Sequence, residues 1–312
     1  MSARYAPETA FVLGGGGVHG AAEVGMLQAL EERGLRPDLV LGTSVGAING
    51  AMLAAVPDAA VERLTGLWTN IGEFSPFDAS LLEQASTFAR TRTHLHGNHR
   101  LQRLLMTHLP VRRFEELELP FQCVAASIER AAARWFDSGS LIDALLASTA
   151  VPGLLPAVEV DGEHHLDGGL VDSIPVGRAI ELGTRRVFVL QVGRIEQPLT
   201  PPRRPWEVGL VAFEIARRHR FVEAMERIPA DVDVHLLPTG AGEAMHFTDP
   251  SQFRYRDVSK VGERITDAYE ATRDYLDEHG LGEPAAADAA DAADDLRDEV
   301  AATTDGPPEQ GA

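Results

Sequence analysis

The sequence predicts a three-layer α/β/α fold with a mainly parallel central sheet. Short apolar strands alternate with helices at the start of the chain: strands at residues 10–13 and 38–41 each precede a helix, at 20–33 and 45–56. This order is typical of parallel strands joined by helical crossovers. A second observation agrees with it, since residues 186–192 form an apolar run of the kind found in strands buried on both faces.

The middle of the chain is predicted to add helices and two hairpins. Residues 58–116 have a largely helical pattern with a polar break around 91–98. The later elements are strands at 120–128 and 134–136, a helix at 140–149, and strands at 158–160 and 164–166. Between the last two strands stands Asp161-Gly162, a strong signal for a two-residue hairpin loop.

The last third of the chain changes character twice. Long helices are predicted at 206–228 and 255–279, with a strand at 232–237 between them. From Glu283 onward nine acidic residues stand against one arginine, with few large apolar side chains, which predicts a disordered tail. We therefore expect a catalytic core over 1–200, a helical extension over 201–282 that packs on it, and an acidic tail over 283–312.

The net charge of −19 at pH 7 limits the possible partners. Phosphates of nucleic acids would be repelled, and electrostatic docking to an anionic membrane is disfavoured. The single cysteine, Cys123, lies in an apolar run and is expected to fill the core. The first residues do not fit a signal peptide and no run of 18 apolar residues occurs, so a cytoplasmic location is expected.

The segment Gly42-Thr43-Ser44-Val45-Gly46 lies between a predicted strand and a predicted helix. That context is typical of a nucleophile elbow, a sharp turn that lifts a serine hydroxyl clear of the backbone. Gly42 and Gly46 flank the serine because neighbouring chain passes close to such a turn. Ser44 is therefore the candidate nucleophile.

A second glycine segment, residues 14–20, follows the first strand and precedes the first helix. A glycine run can turn several backbone N–H groups towards one point, and the helix start adds partial positive charge. Such donors stabilise the oxyanion that forms during acyl transfer. The same segment also satisfies G-x-G-x-x-G, the dinucleotide-binding fingerprint. That alternative needs an acidic residue at the end of the second strand, whereas Asp38 stands before it.

The candidate base is less clear from local pattern alone. His219, His235 and His246 follow Asp167, so a Ser-Asp-His order is possible, although none of them lies in a recognisable loop motif. Asp167 follows a predicted strand and precedes Gly168-Gly169. A carboxylate at such a turn can act directly as a base if burial adjusts its pKa.

Four ordered blocks together resemble the patatin-like phospholipase family. They are Gly14–Gly20, Gly42–Gly46, Ala147–Gly153 with Pro156, and Asp167–Pro175. The resemblance implies a Ser–Asp dyad without a catalytic histidine: Ser44 as nucleophile and Asp167 as base. It also implies that Gly15, Gly16 and Gly17 form the oxyanion loop, that the substrate is a lipid or acyl ester cleaved through an acyl-enzyme, and that no cofactor or metal is required.

Two positions depart from the family pattern. His19 stands where the family commonly has arginine or lysine, and Ser173 stands where it often has asparagine. A histidine with its ordinary pKa of about 6.5 is cationic only in acid, so we expect a weaker or pH-dependent oxyanion site. The serine is expected to affect the shape of the loop more than the chemistry.

Two weaker features and one alternative function remain open. His94, His96 and His99 crowd one loop, but no nearby cysteine or aspartate completes a metal site, so a solvated loop is favoured. The helix at 206–228 carries an apolar stripe that could make transient contact with a membrane surface, although packing on its own core is the favoured reading. The stripe comprises Trp206, Leu210, Phe213, Phe221 and Met225. A catalytically inactive lipid- or acyl-binding protein is the alternative function.

Overall fold

The computed structural model describes residues 7–70, 81–192, 198–240 and 259–282. Its sheet has eight strands: β1 (Thr9–Leu13), β2 (Leu39–Thr43), β3 (Phe121–Ser127), β4 (Ala132–Phe136), β5 (Val158–Val160), β6 (Glu163–Asp167), β7 (Arg186–Leu190) and β8 (Asp233–Leu236). The strand order is β5-β6-β3-β2-β1-β7-β8, and β4 also pairs with β3. The predicted acidic tail and residues 255–258 of the last predicted helix lie outside the described residues.

The α-helices of the described residues are α1 (Ala21–Glu32), α2 (Val45–Ala55), α3 (Ala60–Thr69), α4 (Leu81–Thr91), α5 (His99–His108), α6 (Leu141–Ser148), α7 (Val176–Glu181), α8 (Pro205–Met225) and α9 (Ser259–Glu278). The predicted polar break in the helical region is confirmed between α4 and α5. None of these helices is long and apolar enough to cross a bilayer.

The buried residues of β1 show why the fold has three layers. Alternate side chains of a strand point to opposite faces of its sheet. Phe11 and Leu13 join a large core with α1, α2, α3, α5, α6 and α9. Ala10 and Val12 join a second core, which includes Val176 of α7 and Phe221 of α8. The predicted α/β/α arrangement is therefore confirmed.

The sheet has a parallel half and an antiparallel half. Strands β3, β2, β1, β7 and β8 are parallel to their neighbours in that series, as predicted. Strands β4 and β6 run antiparallel to β3, and β5 runs antiparallel to β6. In the β5–β6 hairpin Asp161 and Gly162 have φ angles of 54° and 81°, the left-handed pair that a type I′ turn requires. The predicted hairpin is confirmed.

Strand β3 brings two distant strand ends together. Because β4 occupies one edge of β3 along residues 123–127, both β2 and β6 must lie on its other edge. Thr43, at the end of β2, pairs with Val124, and Asp167, at the end of β6, pairs with Ala125. Since β2 is parallel and β6 antiparallel to β3, their carboxyl ends meet there. Ser44 and Asp167 become neighbours although 123 residues separate them.

The described segments after residue 200 contact both the central sheet and the helices that cover it. Strand β8 extends the sheet beside β7. Helix α9 crosses α1 so closely that a Cβ on Gly25 would overlap the carbonyl oxygen of Ile265. The division into a core and an extension stays a prediction, but the two are in backbone contact.

Candidate active site

Ser44 occupies a strained turn between β2 and α2. Its backbone angles are φ 54° and ψ −120°, a conformation that side-chain-bearing residues rarely adopt. Its amide donates a hydrogen bond of 2.9 Å to Ser148 Oγ at the end of α6. Strain of this kind costs on the order of 1–3 kcal/mol and persists only where surrounding structure holds it. The predicted elbow geometry is therefore present at Ser44.

The two glycines that flank Ser44 are explained by packing. A Cβ on Gly42 would lie 2.6 Å from Ala47 Cα. A Cβ on Gly46 would overlap the carbonyl group of Leu13 and lie 2.7 Å from the Gly14 oxygen. Both obstacles are backbone atoms, which cannot rotate away. The glycines let α2 start against the end of β1, and this fixes where Ser44 stands.

The Ser44 side chain is hydrogen-bonded to Asp167. Ser44 Oγ donates to Asp167 Oδ2 at 2.7 Å, and Gly169 N donates to Asp167 Oδ1 at 2.7 Å. Only 2% of the Asp167 surface is exposed. Each carboxylate oxygen is therefore held by one hydrogen bond, the first from the serine hydroxyl and the second from the turn that follows β6.

Burial raises the pKa of Asp167 to about 6, because the charged form loses contact with water. The hydrogen bonds from Ser44 and Gly169 and the positive charge of Arg217 act in the opposite direction. A carboxylate with this pKa is ionised at neutral pH and is still basic enough to accept a proton from a reacting hydroxyl.

The glycine loop passes beside Ser44, but its amides differ in their partners. Gly15 N donates to the Ser173 carbonyl oxygen at 3.0 Å, so this amide is already occupied. Among the described residues, no hydrogen-bond acceptor is found for the Gly16 and Gly17 amides. Gly17 has φ 59°, which begins the 3₁₀ turn Gly17–Gly20. Of the three predicted oxyanion donors, Gly16 and Gly17 are the two that remain open.

His19 lies in that 3₁₀ turn, and its environment corrects one expectation. Burial, together with the nearby charges of Arg264 and Arg217, lowers the pKa of His19 to about 4. The ring is therefore neutral from pH 5 upward. The ordinary histidine pKa of about 6.5 assumed for a pH-dependent oxyanion site therefore does not apply to His19, whereas a weaker oxyanion site stays a prediction.

The histidines of the possible Ser-Asp-His order do not join the dyad. His235 is buried at β8, where its Nε2 lies 2.8 Å from Asp233 Oδ2. His219 is exposed on α8. No hydrogen bond joins either ring to Ser44 or Asp167, and His246 lies outside the described residues. The structure therefore favours a serine–carboxylate pair over a triad.

The dinucleotide alternative also loses support. Asp38 Oδ2 accepts hydrogen bonds from Glu8 N and Thr9 N, so it fastens the start of β1, at the opposite end of the sheet from the glycine loop. Within the described ranges no group of three or more His, Cys, Asp or Glu side chains could hold a metal ion. Cys123 is buried, and burial raises the pKa of its thiol, as expected of a core residue.

The apolar stripe of α8 mostly faces inward. Phe221 is buried, Met225 packs against the second core, and Phe213 lies over Gly169 of the site. The side chain of Trp206 lies outside what the structure describes. Other residues of the helix, Val208, Ile215 and Val222, are exposed. Phe213, Phe221 and Met225 of the stripe named from the sequence thus pack on the protein, and contact of the helix with a membrane surface stays a prediction.

Two residues near the dyad lack a role in the sequence-based predictions. Ser148 accepts the hydrogen bond from the Ser44 amide. It belongs to the recognised block Ala147–Gly153, in which no role was predicted for this serine. Arg217 reaches the site from α8 and donates to Ser173. Its position could have been noticed, since Arg217 lies four residues from both Phe213 and Phe221 and therefore interrupts the inward-facing apolar stripe.

Comparisons with known proteins agree with the family suggested by the sequence. The family model described as patatin-like phospholipase matches residues 11–180. A patatin-like phospholipase domain-containing protein of Caenorhabditis elegans is 35% identical over 189 residues, which cover 60% of this chain and 14% of the relative. The lysophospholipase NTE1 of Mycosarcoma maydis is 31% identical over 192 residues, 62% of this chain and 10% of the relative. The chain thus aligns with only a small part of these longer proteins.

Proposed function

The chain belongs to the patatin-like phospholipase family, and we propose that it is a serine acyl-hydrolase that cleaves fatty-acyl ester bonds of lipids. One observation carries the proposal: Ser44 on a strained turn donates a 2.7 Å hydrogen bond to the buried carboxylate of Asp167. A nucleophile with a directly bonded base is the arrangement that covalent acyl transfer requires. The chemistry of this pair needs no cofactor or metal.

In the first half of the reaction Ser44 Oγ attacks the acyl carbonyl carbon while its proton passes to Asp167 Oδ2. The carbonyl oxygen becomes an oxyanion, and the open amides of Gly16 and Gly17 are the proposed donors to it. A single well-placed donor of this kind contributes about 3–4 kcal/mol to transition-state stabilisation. The intermediate then collapses, the ester C–O bond breaks, and Asp167 returns the proton to the leaving alcohol.

In the second half water releases the fatty acid. Asp167, again ionised, takes a proton from a water molecule as the water oxygen attacks the acyl-enzyme carbonyl. The bond between Ser44 Oγ and the acyl carbon breaks, and the proton returns from Asp167 to Ser44. One carboxylate therefore serves as base and acid in both steps.

The substrate class is proposed from the relatives. Two names include lysophospholipase or phospholipase, which favours glycerophospholipids or lysophospholipids over soluble esters. The proposed substrate is accordingly a single- or double-chain phospholipid that presents its acyl ester to Ser44.

The test is fatty-acid release from lysophosphatidylcholine and phosphatidylcholine by the purified protein. We expect Ser44→Ala and Asp167→Asn each to lower the rate by a factor of about 10³ or more. The chain offers a matched control, because Ser138 Oγ also donates to an aspartate, Asp137, at an exposed turn. Ser138→Ala and Asp137→Asn should leave the rate unchanged.

The outcomes separate the proposal from its alternative. Loss of hydrolysis in both site variants and retention in both controls supports the dyad. Binding of the lipids by the wild-type protein without fatty-acid release would overturn the proposal in favour of an inactive lipid-binding protein.

A further inference from the structure

Arg217 lies on the inward face of α8, between Phe213 and Phe221. Its side chain is only 12% exposed, and its Nε donates a 2.7 Å hydrogen bond to Ser173 Oγ. Burial of a guanidinium is costly unless its donors are satisfied. Glu214, on the same helix, accepts from Nη1 at 3.2 Å. Arg217 is therefore held by two partners, one of which belongs to the loop that follows the dyad aspartate.

Ser173 connects Arg217 to the glycine loop. The Ser173 carbonyl oxygen accepts from Gly15 N at 3.0 Å. The position that a Cβ would take on Gly15 lies 3.4 Å from Ser173 Oγ and 3.4 Å from Ser44 Cβ. Gly15 is thus wedged between the nucleophile and a serine that Arg217 fixes. A shift of Ser173 would move the amide that sets the start of the oxyanion loop.

The charge of Arg217 also reaches both sides of the site. It favours the ionised form of Asp167, and together with Arg264 of α9 it disfavours a proton on His19. The charged and titratable groups around the dyad and the glycine loop include Arg217 and Arg220 from α8, Arg264 from α9, His19 from the 3₁₀ turn, buried Glu23 from α1 and Asp172 from the loop after β6. Glu214 balances part of the Arg217 charge from the far side.

We propose that Arg217 is a positioning residue for the hydrolysis: through Ser173 it fixes the glycine loop against Ser44, and its shielded guanidinium places a positive charge near Asp167. The inference rests on the proposed function. Arg217 lies outside the segment that the family model matches, 11–180, so this part of the machinery comes from the C-terminal helices. Since His19 is neutral, α8 supplies the positive charge that the loop lacks.

The experiment measures kcat/KM against pH with a soluble short-chain ester, together with the rate at which a fluorophosphonate labels Ser44. Arg217→Gln removes the charge, Arg217→Lys retains it, and Ser173→Ala removes the hydroxyl that Arg217 Nε bonds to while the charge stays. We expect Arg217→Gln to lower kcat about tenfold or more and to move the acid limb of the profile to higher pH. Arg217→Lys and Ser173→Ala should lower kcat but keep the acid limb in place.

The matched control is Arg218→Gln. Arg218 is the next residue of α8, is similarly shielded, and bonds to the same Glu214 carboxylate at 3.3 Å. It should change neither kcat nor the acid limb. If Arg217→Gln fails to fold, Arg217→Lys and Ser173→Ala still test the positioning role, because both keep the positive charge and both should lower kcat; unchanged kcat in both would overturn it.

Three results would overturn the inference: an unmoved acid limb in Arg217→Gln, a Lys variant whose limb moves as far as that of Gln, or an equal effect of Arg218→Gln. Failure of the proposed function looks different, because wild-type protein would then neither hydrolyse the ester nor react with the fluorophosphonate at Ser44.

Discussion

The two glycine segments of the site use the same residue for different reasons. At the elbow, a side chain on Gly42 or Gly46 would meet backbone atoms of α2 or β1. In the loop, a side chain on Gly15 would stand at ordinary van der Waals distance from Ser44 Cβ and Ser173 Oγ. The packing of the fold therefore requires glycine at the two elbow positions. At Gly15, glycine is required because a side chain would occupy the space between Ser44 and Ser173.

Because of this difference, substitutions in the two glycine segments should affect different properties: stability at the elbow and activity in the loop. Ser44 is positioned by rigid neighbours, the end of β1 on one side and Ser148 on the other. The loop is positioned by hydrogen bonds to Leu190 and Ser173, which lie in segments far along the chain. Side chains added at Gly42 or Gly46 should therefore destabilise the fold, whereas conservative changes in the loop should leave the fold and reduce the rate.

The largest expected effect is that of Gly46→Ala. Its methyl group would overlap the Leu13 carbonyl, so β1 and α2 would have to separate. We expect a loss of about 3 kcal/mol or more in the free energy of unfolding, measured by urea denaturation. Gly66→Ala is the control, because Gly66 lies in α3 with no atom within 4 Å of an added Cβ. It should gain about 0.5–1 kcal/mol. Equal stabilities of the two variants would contradict the packing argument.

Gly15→Ala should act on rate instead. The added methyl group would touch Ser44 Cβ and Ser173 Oγ at 3.4 Å without overlapping backbone atoms, so the free energy of unfolding should change by about 1 kcal/mol or less. It would crowd Ser44 and Ser173, and misplacement of a reacting group by a fraction of an ångström lowers kcat by about ten- to a hundredfold. Parallel measurement of kcat and of urea denaturation checks both halves. A Gly15→Ala protein that is destabilised but fully active would contradict the claim that Gly15 serves activity and not stability.

The dependence of kcat/KM on pH distinguishes titration of Asp167 from titration of His19 in the glycine loop. The active form of Asp167 is ionised, and its pKa is raised to about 6. Hence kcat/KM for a soluble ester should fall below about pH 6, by about tenfold per pH unit. His19, in the loop, has a pKa lowered to about 4 and should leave no break between pH 5 and 9.

Asp172 needs its own control in that profile, because burial raises its pKa to about 7. The acid limb should remain in Asp172→Asn and in His19→Ala. If the acid limb disappears in either variant, the substituted residue and not Asp167 is the group that titrates, and the assignment to Asp167 is contradicted.

The smallest expected effect concerns the strain at Ser44. Glycine adopts φ 54° without penalty, whereas alanine does not. Ser44→Gly should therefore be about 1 kcal/mol more stable than Ser44→Ala, although both lack the nucleophile. Urea denaturation of the two inactive proteins measures the difference. Equal midpoints would mean that the elbow stores no strain.

The strands, the helices and the candidate nucleophile were accessible from the sequence because their signals are local, whereas Asp167 was assigned as base through the family resemblance. Apolar periodicity marked β1 and α1, and Asp161-Gly162 marked its hairpin. The end of β2 was placed two residues short, at 41 rather than Thr43, since Gly42 interrupts the apolar pattern.

The rest of the site depends on tertiary neighbours and could not be predicted. The low pKa of His19 results from burial and from arginines on α8 and α9. The occupied amide of Gly15 depends on Ser173, more than 150 positions away. Arg217 carried a local signal, a charge within an apolar stripe, but its partner Ser173 is fixed only by the packing of α8 over the sheet.

The central claim is that Ser44 is a nucleophile activated by Asp167. The most direct measurement is fluorophosphonate labelling between pH 5 and 8, with the adduct located by peptide mass spectrometry in wild-type and Asp167→Asn proteins. The account predicts an adduct on Ser44 whose rate of formation rises through about pH 6 in the wild type and is low at every pH in Asp167→Asn. An adduct on another residue, or equal labelling of the two proteins, would contradict it.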